Sequence, residues 1–117
     1  MKKITYVLRP YIHKSGRVMV RVRWNHSKNE TVFSIGCSAE HEKWSKEANR
    51  AKINTTHIVN GIAISAKEIN ARIENVHDVV AQVFYQFEVG EKNPSSDEFL
   101  ITFFRQIMNV IIMVSVR

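Results

Sequence analysis

The chain predicts an α+β fold, a three-stranded antiparallel β-sheet packed against a long α-helix, with a further helix at the C-terminus. Three observations predict it. Between Arg17 and Trp24 the residues alternate strictly, with Arg17, Met19, Arg21 and Arg23 on one side and Val18, Val20, Val22 and Trp24 on the other. Two further strand-like runs flank this one across short polar connections, which implies antiparallel neighbours. Finally, Ile62, Ala66, Ile69, Ile73, Val76, Val80, Val83 and Phe87 recur in steps of three and four, an apolar stripe at helical period.

The first strand runs from Lys3 to Arg9, where Ile4, Tyr6 and Leu8 alternate with Lys3, Thr5, Val7 and Arg9. Pro10 is expected to limit it, because proline gives no N–H to a ladder. Tyr11–Gly16 reads as a polar connection with Ser15-Gly16 as its turn, and Arg17–Trp24 is the second strand. After the turn-forming run Asn25–Asn29, Glu30–Ile35 is the third strand and Gly36 ends it. Its register is open, and size favours Phe33 and Ile35 facing inward.

Residues 38–60 read as irregular, with Trp44 as the large apolar anchor and Ser38 as the cap of a short helical turn. The long helix follows, ended by Gly90, with its stripe covering the oily face of the sheet. Ser95 and Glu98 form a capping box for the last helix. Phe99–Val116 is oily enough to raise a membrane span, but Arg105 lies in its middle, at a cost of at least about 2.5 kcal/mol. A buried helix is the better reading, and the uncapped ending reads as truncated or altered sequence.

Charge is distributed unevenly. Residues 1–29 hold eight Lys or Arg and no Asp or Glu, while the chain as a whole is +6. Residues 30–117 therefore carry nine bases against eleven acids. If the even positions of the first two strands face inward, the odd ones present Lys3, Thr5, Arg9, Arg17, Arg21 and Arg23 on one outer face. Solvated faces usually mix signs, so this surface points to a polyanion, and double-stranded DNA is the partner expected. Arginine suits that role because its planar fork spans guanine O6 and N7, or a phosphate. Thr5 and Val7 can meet a thymine methyl, and Lys14 and Lys28, on connections, are phosphate clamps.

Other chemistry is thin. The single cysteine, Cys37, excludes an internal disulfide and, with no apolar leader after Met1-Lys2-Lys3, points to the cytoplasm. His13, His26, Cys37 and His41 lack the paired short intervals of a zinc site, so no metal is expected. The four glycines are scattered, so there is no phosphate loop, and no cofactor or small-molecule substrate is expected. No residue reads as catalytic. Two alternatives to a DNA binder are an RNA-binding sheet module and a protein-interaction or membrane-associated fragment that self-associates through its helices. Exposed aromatics, which an RNA-reading sheet wants, are missing from the expected outer face.

The Lys3-Ile4-Thr5-Tyr6-Val7-Leu8-Arg9 opening, the Gly16-Arg17-Val18-Met19-Val20-Arg21-Val22 strand and the Phe33-Ser34-Ile35-Gly36 end form a series. With Glu42-Lys43-Trp44-Ser45 and the helix start Ala66-Lys67-Glu68-Ile69-Asn70, it resembles the N-terminal arm-DNA-binding domain of tyrosine recombinases, the integrases of Bacteroides-type mobile elements. The resemblance covers roughly residues 3–90. It implies a DNA-binding unit over residues 1–90, followed over 91–117 by the start of a helical segment. It implies sequence-specific binding of arm-type sites with the sheet in the major groove. Arg9, Arg17, Arg21 and Arg23 on the sheet, with Lys14 and Lys28 on loops, would be the contacts. The family's catalytic domain has no counterpart in these residues, so the chain is expected to bind DNA without recombining it.

Overall fold

The computed structural model describes residues 3–25 and 29–115, with side chains through Met108. The α+β arrangement is the one expected. Strands β1 (Tyr6–Ile12), β2 (Arg17–Trp24) and β3 (Asn29–Ser38) form an antiparallel sheet in that order. Two small strand pairs follow: β4 (Trp44–Ser45) with β5 (Arg50–Ala51), and β6 (Thr56–Val59) with β7 (Ile62–Ser65). Helices α1 (Ala66–Val89) and α2 (Ser96–Ser115) complete the chain.

The alternation of β2 decides the layers. Val18, Val20 and Val22 are fully buried and Trp24 nearly so, while Arg17 and Arg23 lie on the open side. Against this inner face α1 sets Ile69, Ile73, Val76, Val80, Val83 and Phe84. Each fully buried side chain of this kind contributes about 1.5–3 kcal/mol, so this contact is a large source of stability. Phe33 faces inward as its size suggests, and Ile35 packs against both halves of the core.

The core has two centres. One is aromatic: Trp24 and Phe84 lie 5.4 Å apart, Trp24 and Phe99 5.1 Å, and Phe84 and Phe99 4.9 Å. The indole N–H of Trp24 donates to the Pro94 carbonyl at 3.1 Å, which satisfies its buried polar atom. Phe99 and Phe103 come from α2, so residues beyond 90 enter the same core as the sheet. The second centre gathers Val18, Trp44, Ala51, Ile69 and Ile73. Among the described residues no helix is long and apolar enough to cross a membrane.

Several boundaries differ from expectation. Pro10 does not end β1 but pairs with Val20 inside it. Because β1 is an edge strand, alternate N–H groups have no ladder partner and a proline is tolerated. Nor does Gly36 end β3. There the register jumps from Met19↔Ser34 to Arg17↔Ser38, and Gly36 takes φ +85° to make the bulge. The short turn before Trp44 is a 3-10 turn over His41–Lys43, and Glu40 rather than Ser38 occupies its N-cap position.

The long helix begins at Ala66, not Ile62. Ser65 caps it by accepting the Glu68 N–H at 3.1 Å, and Ile62 belongs to a hairpin. Asn60 and Gly61 both have positive φ, as a two-residue hairpin turn of this hand requires. Asn-Gly between apolar alternations signals such a turn in sequence, but the Ile62–Ala66 step of four also suited a helix. The expected capping box is present: Ser95 N–H donates to Glu98 and Glu98 N–H donates to the Ser95 hydroxyl, each at 3.2 Å. Lys92 and the Ser95 N–H hold the Glu98 carboxyl below its ordinary range.

His57 is a buried polar residue of this framework. Its Nδ1 accepts the Glu40 N–H at 2.9 Å, and its Nε2 lies 3.0 Å from the Thr55 hydroxyl. That hydroxyl donates its own proton to the Lys52 carbonyl at 2.6 Å, so Nε2 carries the hydrogen and the ring is neutral. Burial depresses its pKa, opposed by Glu40 and Glu42 and reinforced by Lys43. Above the ordinary histidine pKa both folded and unfolded states are neutral here and nothing is lost. As pH falls through about 6.5 the unfolded chain takes the proton first, so stability declines by up to about 1.4 kcal/mol per pH unit. Urea melts at pH 7, 6 and 5 are expected to show that decline, flattened in His57→Gln. Equal midpoints across this range would show that the site accepts a charged ring.

Candidate nucleic-acid interface

The outer face of the sheet can be laid out from register. Val7, Arg23 and Glu30 form one row across β1, β2 and β3; Arg9, Arg21 and Val32 form the next; Tyr11, Met19 and Ser34 form the third. Arg17 continues the β2 column opposite Ser38. Val7, Arg9, Arg21 and Arg23 together line a shallow depression on this face. The helices pack on the other side, and Val7 remains 61% exposed and Val32 38% exposed.

Two features of this face do not serve folding. Arg9 stands directly opposite Arg21, a like-charge cross-strand pair that costs stability rather than adding to it. Val7 and Val32 place apolar groups among the guanidinium groups, where solvation alone would favour polar ones. A cationic surface with interspersed apolar side chains matches the chemistry of DNA, whose grooves offer phosphates, acceptor edges and thymine methyls.

The face is not purely cationic. Glu30, the residue just after the acid-free run, reaches across from β3 to two arginines. Arg23 Nε donates to Glu30 Oε2 at 2.9 Å, and Arg21 Nε lies 3.3 Å from Oε1. The guanidinium of Arg21 also sits 5.5 Å from the centre of the Tyr11 ring. Each of Arg21, Arg23 and Glu30 is about two-fifths exposed, so these pairs are screened and add little to stability. One carboxylate faces Arg9, Arg17, Arg21 and Arg23, so the face keeps its positive sign.

The structure therefore gathers Arg9, Arg21 and Arg23 and spreads the other expected residues around them. Thr5 is exposed just ahead of β1, and its carbonyl accepts the Asn25 N–H at 3.1 Å. Lys3 borders a cleft with Lys92 and Asn93 at one end of the sheet. Lys14 is exposed on the β1–β2 turn at the other end, where its carbonyl contacts His41. Arg17, at that same end, lines a cleft shared with Arg72 and the β6–β7 hairpin. Lys28 lies outside the described residues.

Sequence reasoning passed over Glu30 and Tyr11. Continuing the strand parity past Pro10 would have put Tyr11 on the outer face, and the register of β3 would have put Glu30 opposite Arg23. Burial pushes the Cys37 thiol up, against the pull of Arg72, which disfavours its thiolate. Among the described residues no three His, Cys, Asp or Glu side chains gather where they could hold a metal ion. Compared with known proteins, the chain matches no family model, no curated protein and no solved structure.

Proposed function

We propose that this chain binds double-stranded DNA through the outer face of its three-stranded sheet, as the arm-site-binding unit of a mobile-element tyrosine recombinase, and that it carries no chemistry of its own. The observation that carries the reading is the opposition of Arg9 to Arg21 beside Arg23 on an open face. Two strand spacings make the sheet roughly 10 Å wide, close to the roughly 12 Å of a B-form major groove. In this reading Arg21 and Arg23, on the central strand, lie deepest in the groove. Arg9, Arg17, Lys3, Lys14 and Lys28 meet phosphates on either side.

Five or six phosphates neutralised in this way give a slope of log affinity against log salt near −5. Fluorescence anisotropy of a labelled duplex from about 50 to about 300 mM salt measures it, with single-stranded RNA as competitor. A slope near zero overturns the reading. Displacement of duplex by RNA at equal nucleotide concentration turns it to the RNA-binding alternative, for which Tyr11 would be the stacking platform.

A further inference from the structure

Glu30 is out of place on a surface built only for charge. A carboxylate among guanidinium groups lowers their attraction for phosphate, and a neutral side chain at this exposed strand position would fold equally well. Its geometry is specific, however. Both contacts are made through Nε, one on each carboxylate oxygen, at 2.9 Å for Arg23 and 3.3 Å for Arg21. Arg21 Nε is buried and off line for a hydrogen bond, so Glu30 serves it as a counter-charge. Among the described residues no hydrogen bond engages the Nη groups of either arginine, and the Arg21 guanidinium lies over the Tyr11 ring.

From this, and resting on the duplex-DNA reading above, we infer that Glu30 is a positioning residue for sequence recognition. Its carboxylate holds Arg23 by an Nε hydrogen bond and Arg21 by charge against its buried Nε, and leaves the Nη groups of both forks to grip guanine O6 and N7. An arginine fork has two ways to grip two acceptors, through Nε with one Nη or through both Nη groups. Bonding Arg23 Nε and burying Arg21 Nε removes the first and leaves the end-on grip, which is the one that reaches a base edge from a sheet lying in the groove. Fixing the planes before contact also removes side-chain disorder that binding would otherwise have to overcome. Glu30 thus exchanges general affinity for discrimination.

The test uses the full chain, wild type and Glu30→Gln, on duplexes randomised over about 16 base pairs, a stretch somewhat longer than one turn of B-DNA. Selection by the wild type is expected to enrich sites with guanines at fixed spacing. Glu30→Gln is expected to bind the unselected pool as tightly or more tightly. Its preference for the selected sites should fall about tenfold, within the range of one bidentate base contact. If Glu30→Gln raises both affinities together and leaves their ratio unchanged, Glu30 only repels phosphates and the inference is overturned.

A second arm needs no DNA. The Nε–H NMR signal of Arg23 in the free wild-type chain should be protected from exchange at neutral pH and lose that protection in Glu30→Gln. Equal exchange in both proteins also overturns the positioning role. Failure of the wild type to bind the pool in a salt-dependent way removes the duplex reading instead, whatever the NMR arm shows of the clamp. The two failures are therefore distinguishable.

Discussion

Phe99→Ala is expected to destabilise the whole chain by about 3–5 kcal/mol, a large part of what a domain of this size holds. Phe99 is fully buried, with its ring 5.1 Å from Trp24 and 4.9 Å from Phe84. Truncation leaves a cavity at the meeting point of sheet, α1 and α2, and those three elements cannot collapse independently to fill it. Urea unfolding followed by Trp fluorescence and by far-UV circular dichroism should shift together, because one core is lost at once. If α2 behaved as an appendage, the sheet's midpoint would stay put and only helical signal would change. Phe104→Ala is the control: Phe104 is 48% exposed, and its loss should cost less than about 1 kcal/mol.

The second large effect concerns DNA. Replacing Arg21 and Arg23 together by alanine should cost about 2–5 kcal/mol of affinity for a selected site and flatten base preference, while the salt slope changes by little. Replacing Arg9 and Arg17 should act in the opposite way, weakening all sequences alike and making the slope shallower by about 2. Thermal stability should change little in either pair, since Arg9, Arg17 and Arg23 are exposed, Arg21 is half-buried, and Arg9 opposes Arg21 unfavourably. Identical behaviour of the two double variants would remove the division between reading and clamping. A loss of folding in either would show that the face is structural.

Much of the fold was legible because its signals are local and repeated. Four alternating pairs in Arg17–Trp24 specify a half-buried strand whatever lies around it, since a one-residue slip would bury the guanidinium groups and expose the valines. The stripe from Ala66 onward and the Ser95/Glu98 box are equally self-contained. Failures occurred where one residue satisfied two patterns. Ile62 continues the helical stripe by spacing and also continues the hairpin by alternation; pairing of Val59 with Ile62 across Asn60-Gly61 decided for the hairpin. Pro10 reads as a strand end unless the strand is known to be an edge, and strand order is not a local property.

By itself the sequence determined the α+β class, the inward and outward sides of the central strand, and the concentration of cations in the first 29 residues. Each follows from periodicity or counting, which need no partner segment. Only the tertiary structure brought Glu30 against Arg21 and Arg23, set Arg9 opposite Arg21, and joined Phe99 of α2 to Trp24 of the sheet. These contacts depend on register and on packing between distant segments, where a shift of one residue changes the neighbour while leaving every local pattern intact.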